Sequence, residues 1–501
     1  MKKWMGLLLT ALLLVSMALA EDAGKPLYEY EILPDGTAMI LKYNGDEAAV
    51  AIPAELGGHT VTAIGDKAFI SCKQMKQAAI PETVKSIGDM AFAYCTGLER
   101  IAIPDSVTTL GANPFASCDL LAEIVVSIDH PTLATIDGVL FEKPTKTLVC
   151  YPYAFKAAHY AVPEGIRHVG ADAFYDSSLQ GVTLPSTLET IGDEAFLLCF
   201  DLADVHLPAG LKAIGERAFD SCRNITALTL PEGLTTIGNC AFKGCTGLTA
   251  ITIPDSVTEI AGNPFVYCAA LTEIRVSADH PTLATIDGVL FEKAAKRLVS
   301  YPCAFTAEAY AVPEGIVLIG DWAFYGNSVL RRVTLPATVT AIGDCAFMQC
   351  SVLETAELPA ALETIGEYAF GDCSFLTGVT LPDTLQALGK GAFRACSSLT
   401  KANVPGGVRS VGASAFQYCS GITELVVSDG VEEIGAMAFT GCRALAKVTI
   451  PGSVTAIGAD AFVNCDQALA FVVDRDSAAR QYAVDNGIPF TYADALDWLA
   501  N

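Results

Sequence analysis

The sequence predicts a β-rich solenoid of about fifteen short coils, two of them carrying a hairpin. Three observations predict it. A phenylalanine preceded by Ala (by Pro at Phe115 and Phe265) recurs at Phe69, Phe92, Phe115, Phe174, Phe196, Phe219, Phe242, Phe265, Phe324, Phe347, Phe370, Phe393, Phe416, Phe439 and Phe462. Twelve of the fourteen spacings are 22 or 23 residues, and the other two are both 59. The 501-residue chain is 52% apolar and 17% charged, enough to bury a large core. A period of this length marks stacked coils rather than separate globular domains.

In chain order, residues 1–20 read as a secretory signal peptide. Lys2 and Lys3 precede the apolar run "WMGLLLTALLLVSM", and "ALA" at 18–20 is a small-residue cleavage site. The run is short for a membrane span. No cysteine precedes Cys72 to serve as a lipid anchor, and "DALDWLAN" at the other end is not a hydrophobic tail. An exported, soluble mature chain is expected. Residues 21–50 form an N-terminal cap, in which "LYEYEILPDGTAMILKYNG" (27–45) reads as a hairpin turning at Asp35-Gly36.

Residues 51–475 are the solenoid. In "AFKGCTGLTAITIPDSVTEI", starting at Ala241, Leu248, Ile251 and Ile253 have the L-x-x-L-x-L spacing of a strand with its apolar side inward. Pro254 ends that strand, because it cannot donate to a continuing ladder, and Val257 with Ile260 opens a second short apolar run. Gly stands four residues before the Phe in fourteen of the fifteen units, which suggests a sharp corner closed to other residues. Cys follows the Phe by three in thirteen units. One such unit cannot bury its apolar side alone; stacked units can.

The fifteen residues "DHPTLATIDGVLFEK" occur at 129–143 and again at 279–293. Phe69, Phe92, Phe115 and Phe174 each have a counterpart 150 residues on, so a block of about 60–209 is duplicated as 210–359. Copying explains the identity without chemistry. The string lies in the two long intervals, where "VLFEK" and "TLVCYP" around "PTK", and "VLFEK" and "RLVSYP" around "AAK", read as hairpins projecting from the stack. Residues 476–501 form a C-terminal cap with a helix from Ser477 to Gly487 and then a strand.

The pattern "IPxxVTxIGxxAFxxCxxLxxITIP" resembles the BspA-type leucine-rich repeat of bacterial surface and secreted proteins. The resemblance runs over about residues 50–475. It implies a leucine-rich repeat solenoid with capped ends, and a secreted or cell-surface binding protein that engages a protein partner, by adhesion for example. The alternative function is a glycan-binding module for polysaccharide capture.

Motifs for chemistry are missing. His59, His130, His159, His168, His206 and His280 are scattered, with no H-E-x-x-H, G-x-S-x-G, P-loop or G-x-G-x-x-G. Asp129, His130, Asp137 and Glu142 of the repeated string have acid/base side chains, but turn chemistry accounts for them. No enzyme, metal or cofactor is expected. A net charge of -25 disfavours nucleic acid and anionic lipid. The thirteen repeat cysteines are expected to be buried free thiols. Candidate partner-binding residues fall in two places. Tyr151, Tyr153, Phe155, Tyr301 and Phe305 lie beside the hairpins at about 131–152 and 281–302, whose fixed interval would suit two-point attachment. Arg100, Arg275 and Arg332 belong to an outward, flat, mixed-charge strip without aromatics that runs to Lys447.

Overall fold

The structure, a computed structural model, describes residues 25–494. The signal-peptide reading falls on residues 1–20, outside the described residues. The chain forms two compact units, one of residues up to 143 with 150–155, the other of residues 144–149 with 156 onward. Both use the same coil.

In the first unit the strands Tyr28–Ile32 and Ala38–Tyr43 pair antiparallel around Asp35-Gly36. Gly36 has a φ of 82°, which this turn requires. Ala38–Tyr43 then pairs parallel with His59–Ile64, which continues to Ser86–Ile87 and Thr109–Leu110. A second parallel ladder joins Ala49–Ala51, Gln77–Ala79, Arg100–Ile103 and Glu123–Val126. The hairpin also closes the aromatic column: the Tyr43 ring stacks 5.2 Å from Phe69, which stacks 4.9 Å from Phe92.

The second unit repeats this cross-section. Its first apolar runs pair as Ala309–Ala311, Arg332–Thr334 and Thr355–Glu357, then as Lys401–Val404, Glu424–Val427, Lys447–Ile450 and Ala470–Val473. Its second runs form a long ladder of two-residue strands, including Ala341–Ile342, Thr364–Ile365 and Ala387–Leu388. Between the ladders the phenylalanine rings stack in two columns, Phe174 to Phe265 and Phe324 to Phe462, with centroids 4.7 to 5.7 Å apart. Burying each ring contributes ~1.5–3 kcal/mol and each stack ~0.5–1.5 kcal/mol. The helix Ala478–Asp485, N-capped by Ser477, and the strand Phe490–Tyr492 close this unit.

The third side of the coil has an uncommon backbone. Residues two before and two after a column Phe take positive φ, as Tyr368 (51°) and Asp372 (60°) do around Phe370, except at Asn113 and Asn263 before the two Pro-Phe pairs. Such a conformation costs a non-Gly residue ~1–2 kcal/mol. The alternation turns three amides toward the next coil: Tyr368 N–H donates to Lys390 O (2.8 Å), Phe370 N–H to Ala392 O (2.7 Å) and Asp372 N–H to Arg394 O (2.7 Å). These bonds, at ~0.5–1.5 kcal/mol each, offset the strain.

Two expectations need correction. The glycine four before the Phe does not turn a left-handed corner. Gly366 and Gly389 have ordinary φ; a Cβ on Gly389 would stand 2.5 Å from the Gly366 carbonyl carbon of the coil before. Close approach between coils excludes a side chain. Nor do the hairpins project. In the second copy Leu283–Ile286, Val289–Glu292 and Arg297–Ser300 form an antiparallel meander, and Arg297–Ser300 pairs parallel with Leu318–Ile319 of the ladder. Leu290, Phe291 and Leu298 are buried in the core. In each copy the first strand pair turns on Asp-Gly, with φ of 50° and 81° at Asp137-Gly138 and 50° and 80° at Asp287-Gly288.

The 59-residue interval is thus two coils. Tyr301 N–H donates to Ala323 O (2.9 Å), the bond a column Phe makes, and the Tyr301 ring stacks 4.9 Å from Phe324. The interval divides into an enlarged coil and an ordinary coil whose Phe is a Tyr.

Candidate interaction surfaces

The strand face carries the outward strip. Parallel pairing in register places Lys401, Glu424 and Lys447 in one column, so charge alternates from coil to coil. Lys447 Nζ lies 2.9 Å from Glu424 Oε1, which holds the Glu424 carboxyl below its ordinary range. In the first unit Arg100 and Glu123 are opposite each other, with Nε–Oε2 at 2.8 Å. Arg275 pairs with Glu273 of its own strand. Arg332 is exposed and has no carboxylate partner among the described residues. Exposed pairs like these contribute ~0–1 kcal/mol, so they shape a surface more than they stabilise a fold.

The strip is not flat throughout. Ladder pairing lapses at Ala227–Leu230 and at Val379–Leu381, and depressions of about 340 and 550 Å³ open there, around Thr229 and Thr380.

Of the hairpin aromatics, Tyr151 and Tyr301 serve the core. Tyr151 and Tyr301 are 4% and 2% exposed. Their placement as contact residues is corrected: the long interval needs a ring on the buried side of the coil. Phe155 and Phe305 are half-buried and pack on the hairpin turns; a Cβ on Gly138 or Gly288 would meet these rings at 2.5 and 2.8 Å. Tyr153 is half-buried.

The repeated string is also structural at its histidine. His280 is buried, its Nδ1 accepting from the Thr282 and Leu283 amides (3.3 and 3.1 Å) and its Nε2 donating to Pro254 O (3.2 Å). His130 makes the same three contacts with Thr132, Leu133 and Pro104. This is a neutral imidazole fastening a turn to the preceding coil.

A groove of about 580 Å³ opens in the second unit on the Phe-column side. Tyr267, 48% exposed, and Tyr325 form an edge-to-face pair with centroids 6.3 Å apart, and Trp322 lies 4.9 Å from Tyr325. The Tyr267 ring lies over Gly326, where a Cβ would come within 2.9 Å. Beneath, the buried Asp220 accepts from Arg217 Nε (2.9 Å) and Ser221 Oγ (2.9 Å), with Lys243 Nζ 3.7 Å away. Arg217 also donates to Glu194 (2.6 Å). Arg223, at the groove edge, lies 4.5 Å over the Phe200 ring.

A family model described as BspA type leucine rich repeat region (6 copies) matches residues 56–152, 167–296, 301–423 and 340–470. The chain belongs to the BspA-type leucine-rich repeat family. No match is found among curated proteins. Among solved structures, the chain is similar to a leucine rich cell surface protein from Faecalibacterium prausnitzii, at 27% identity over 92% of this chain and 97% of that one, with a TM-score of 0.41. It is also similar to a leucine-rich repeat protein from Eubacterium ventriosum (19% identity, 88% and 93% covered, TM-score 0.47). A third is a leucine-rich repeat protein from Bacteroides ovatus (24%, 94% and 99%, 0.35).

In this BspA-type coil the repeat cysteine has a defined post. All seventeen cysteines are free. Cys373, Cys396 and Cys419 donate to the carbonyls of Phe347, Phe370 and Phe393 of the preceding coil, at 3.1, 3.0 and 3.0 Å. Burial raises their thiol pKa well above the ordinary value, and that of Cys419 to about 12. No group of His, Cys, Asp and Glu able to hold a metal ion occurs among the described residues, and none of their helices is long and apolar enough to cross a membrane. No motif in the sequence marks the groove aromatics. Their signal was the aromatic side chain one or two residues from a column Phe, at Tyr267, Trp322 and Tyr325.

Proposed function

We propose that the protein is a non-catalytic binding scaffold, exported and presented at the cell surface, whose strand face engages a protein partner. The observation that carries this reading is the in-register column Lys401–Glu424–Lys447. Alternating charge set by strand register gives a partner a fixed pattern to complement, and such patterns act chiefly on specificity and association rate. Membership of a leucine-rich repeat family and the signal-like residues 1–20 support it. The depressions at Thr229 and Thr380 add recesses for partner side chains.

The test is capture of surface proteins from cells of its native habitat on the immobilised mature chain and on the variant R332E/K401E/K447E. The parent captures a discrete partner and the variant loses it while circular dichroism and Tm stay unchanged. Equal capture by a folded variant would remove the strand face from consideration.

A further inference from the structure

We infer that the groove around Tyr267 is a saccharide site selective for sugars that carry a carboxylate, a site separate from the strand face. Four features argue for it together. Tyr267 is exposed yet held in place by its contact with Gly326 and its edge-to-face pairing with Tyr325. A fixed exposed ring is a stacking platform for the C–H face of a sugar. The groove is lined by the cations Arg217, Arg223 and Lys243 and the carboxylate Asp220, and Glu194 pairs with Arg217 just outside the lining, so three cations face two carboxylates. That leaves a local excess of positive charge in a chain whose net charge is -25. Long-range repulsion of an anion by the rest of the surface is screened beyond ~8 Å at physiological ionic strength, so the nearby cations decide.

Asp220 is itself buried and held by Arg217, Ser221 and Lys243, so it fixes the cations and does not repel a ligand from the surface. Arg223 is exposed and has no carboxylate partner among the described residues; its planar guanidinium is free to take a carboxylate through two parallel hydrogen bonds. Thr246 and Gln349 add a hydroxyl and an amide to the lining, groups that suit sugar hydroxyls. The volume, about 580 Å³, is that of a small-ligand site.

The duplication supplies an internal control. At the positions 150 residues earlier, Tyr267, Gly326, Trp322, Lys243 and Asp220 are matched by Ser117, Asp176, Asp172, Ala93 and Ile70. The ring and the glycine beneath it changed together, so these residues form a local feature of the second copy and not a demand of the coil.

The experiment is calorimetric titration of the mature chain with oligogalacturonate, with a malto-oligosaccharide of equal length and with poly-glutamate. Oligogalacturonate binds saturably, and the other two bind at least about tenfold more weakly. Tyr267→Phe keeps the affinity, whereas Tyr267→Ala and Arg223→Gln each weaken it roughly tenfold with an unchanged Tm. The strand-face variant R332E/K401E/K447E binds oligogalacturonate like the parent, which separates this site from the proposed protein contact. Equal binding of the neutral sugar, stronger binding of poly-glutamate, unchanged affinity in both loss variants, or no saturable binding would each overturn the inference.

Discussion

Cys396 Sγ donates to the carbonyl oxygen of Phe370, 3.0 Å away in the preceding coil. The Phe370 carbonyl also accepts from the Cys373 amide at 3.3 Å, so the thiol adds a second, weak bond to a buried acceptor. In thirteen of the fifteen units the side chain at this position is small and apolar and carries a donor. Cys combines all three properties.

Burial raises the folded-state pKa of Cys373, Cys396 and Cys419 above the unfolded value of ~8.5. For a raised pKa, the stabilisation is complete below the unfolded value and declines as pH climbs toward the folded one. Denaturant midpoints should therefore hold to about pH 8 and fall between about pH 9 and 11. Ellman's reagent at pH 8 should label few ladder thiols in native protein and nearly all after denaturation. Rapid labelling of native protein would contradict the burial described here.

Two glycines separate close approach from conformational freedom. At Gly389 a Cβ would meet backbone of the preceding coil at 2.5 Å, whereas at Gly378 nothing lies within 4 Å and φ is ordinary. Gly389→Ala should lower stability by ~2 kcal/mol or more through overpacking against rigid backbone. Gly378→Ala should be neutral or stabilising by up to ~1 kcal/mol, because the unfolded chain loses freedom. Urea midpoints of the two variants provide the comparison.

The Tyr301 hydroxyl is buried and has no hydrogen-bond partner among the described residues. Since the ring already stands in the Phe column, Tyr301→Phe removes only an unsatisfied group. It should raise stability by ~1 kcal/mol or more. Calorimetry would show an upward shift in Tm; a downward shift would mean that the hydroxyl is satisfied by internal water.

Burial lowers the pKa of His280, with the Lys293 charge acting the same way and Asp255 and the Pro254 carbonyl opposing it. A depressed imidazole pKa leaves stability intact above the unfolded value of ~6.5 and erodes it as pH falls below that. Wild-type protein should lose stability between about pH 7 and 5. His280→Gln should be less stable at pH 7.5 but show a shallower loss over the same interval, measured by urea denaturation at each pH.

Much of this fold is legible in the residues. The column phenylalanines, the cysteine ladder, the hairpin at Asp35-Gly36 and the helix capped by Ser477 all follow from spacing and side-chain type. What escapes the sequence is set by neighbouring coils. Tyr368 and Asp372 have no strong local reason for positive φ; the amide bonds to the next coil impose it. The recurring glycine shows that a side chain is excluded, but not whether angle or space excludes it. Tyr301 stands among the candidate contact residues of the sequence because spacing hides that a ring of its size fills a Phe place. The Tyr267 groove draws on residues spread from Leu197 to Gln349, a juxtaposition no short motif carries.

The amide rungs beside each Phe behave like the bonds of a one-dimensional crystal. From Phe324 to Phe439 each coil offers donors forward and acceptors backward, so displacement by a whole number of these coils returns a Phe amide to an equivalent acceptor. In the sequence, copying about 150 residues repeats this donor and acceptor pattern, as Phe174 recurs as Phe324. Growth by this route leaves no dangling bond at the joint, and it frees one of two equivalent cells to change its surface while the other keeps the original.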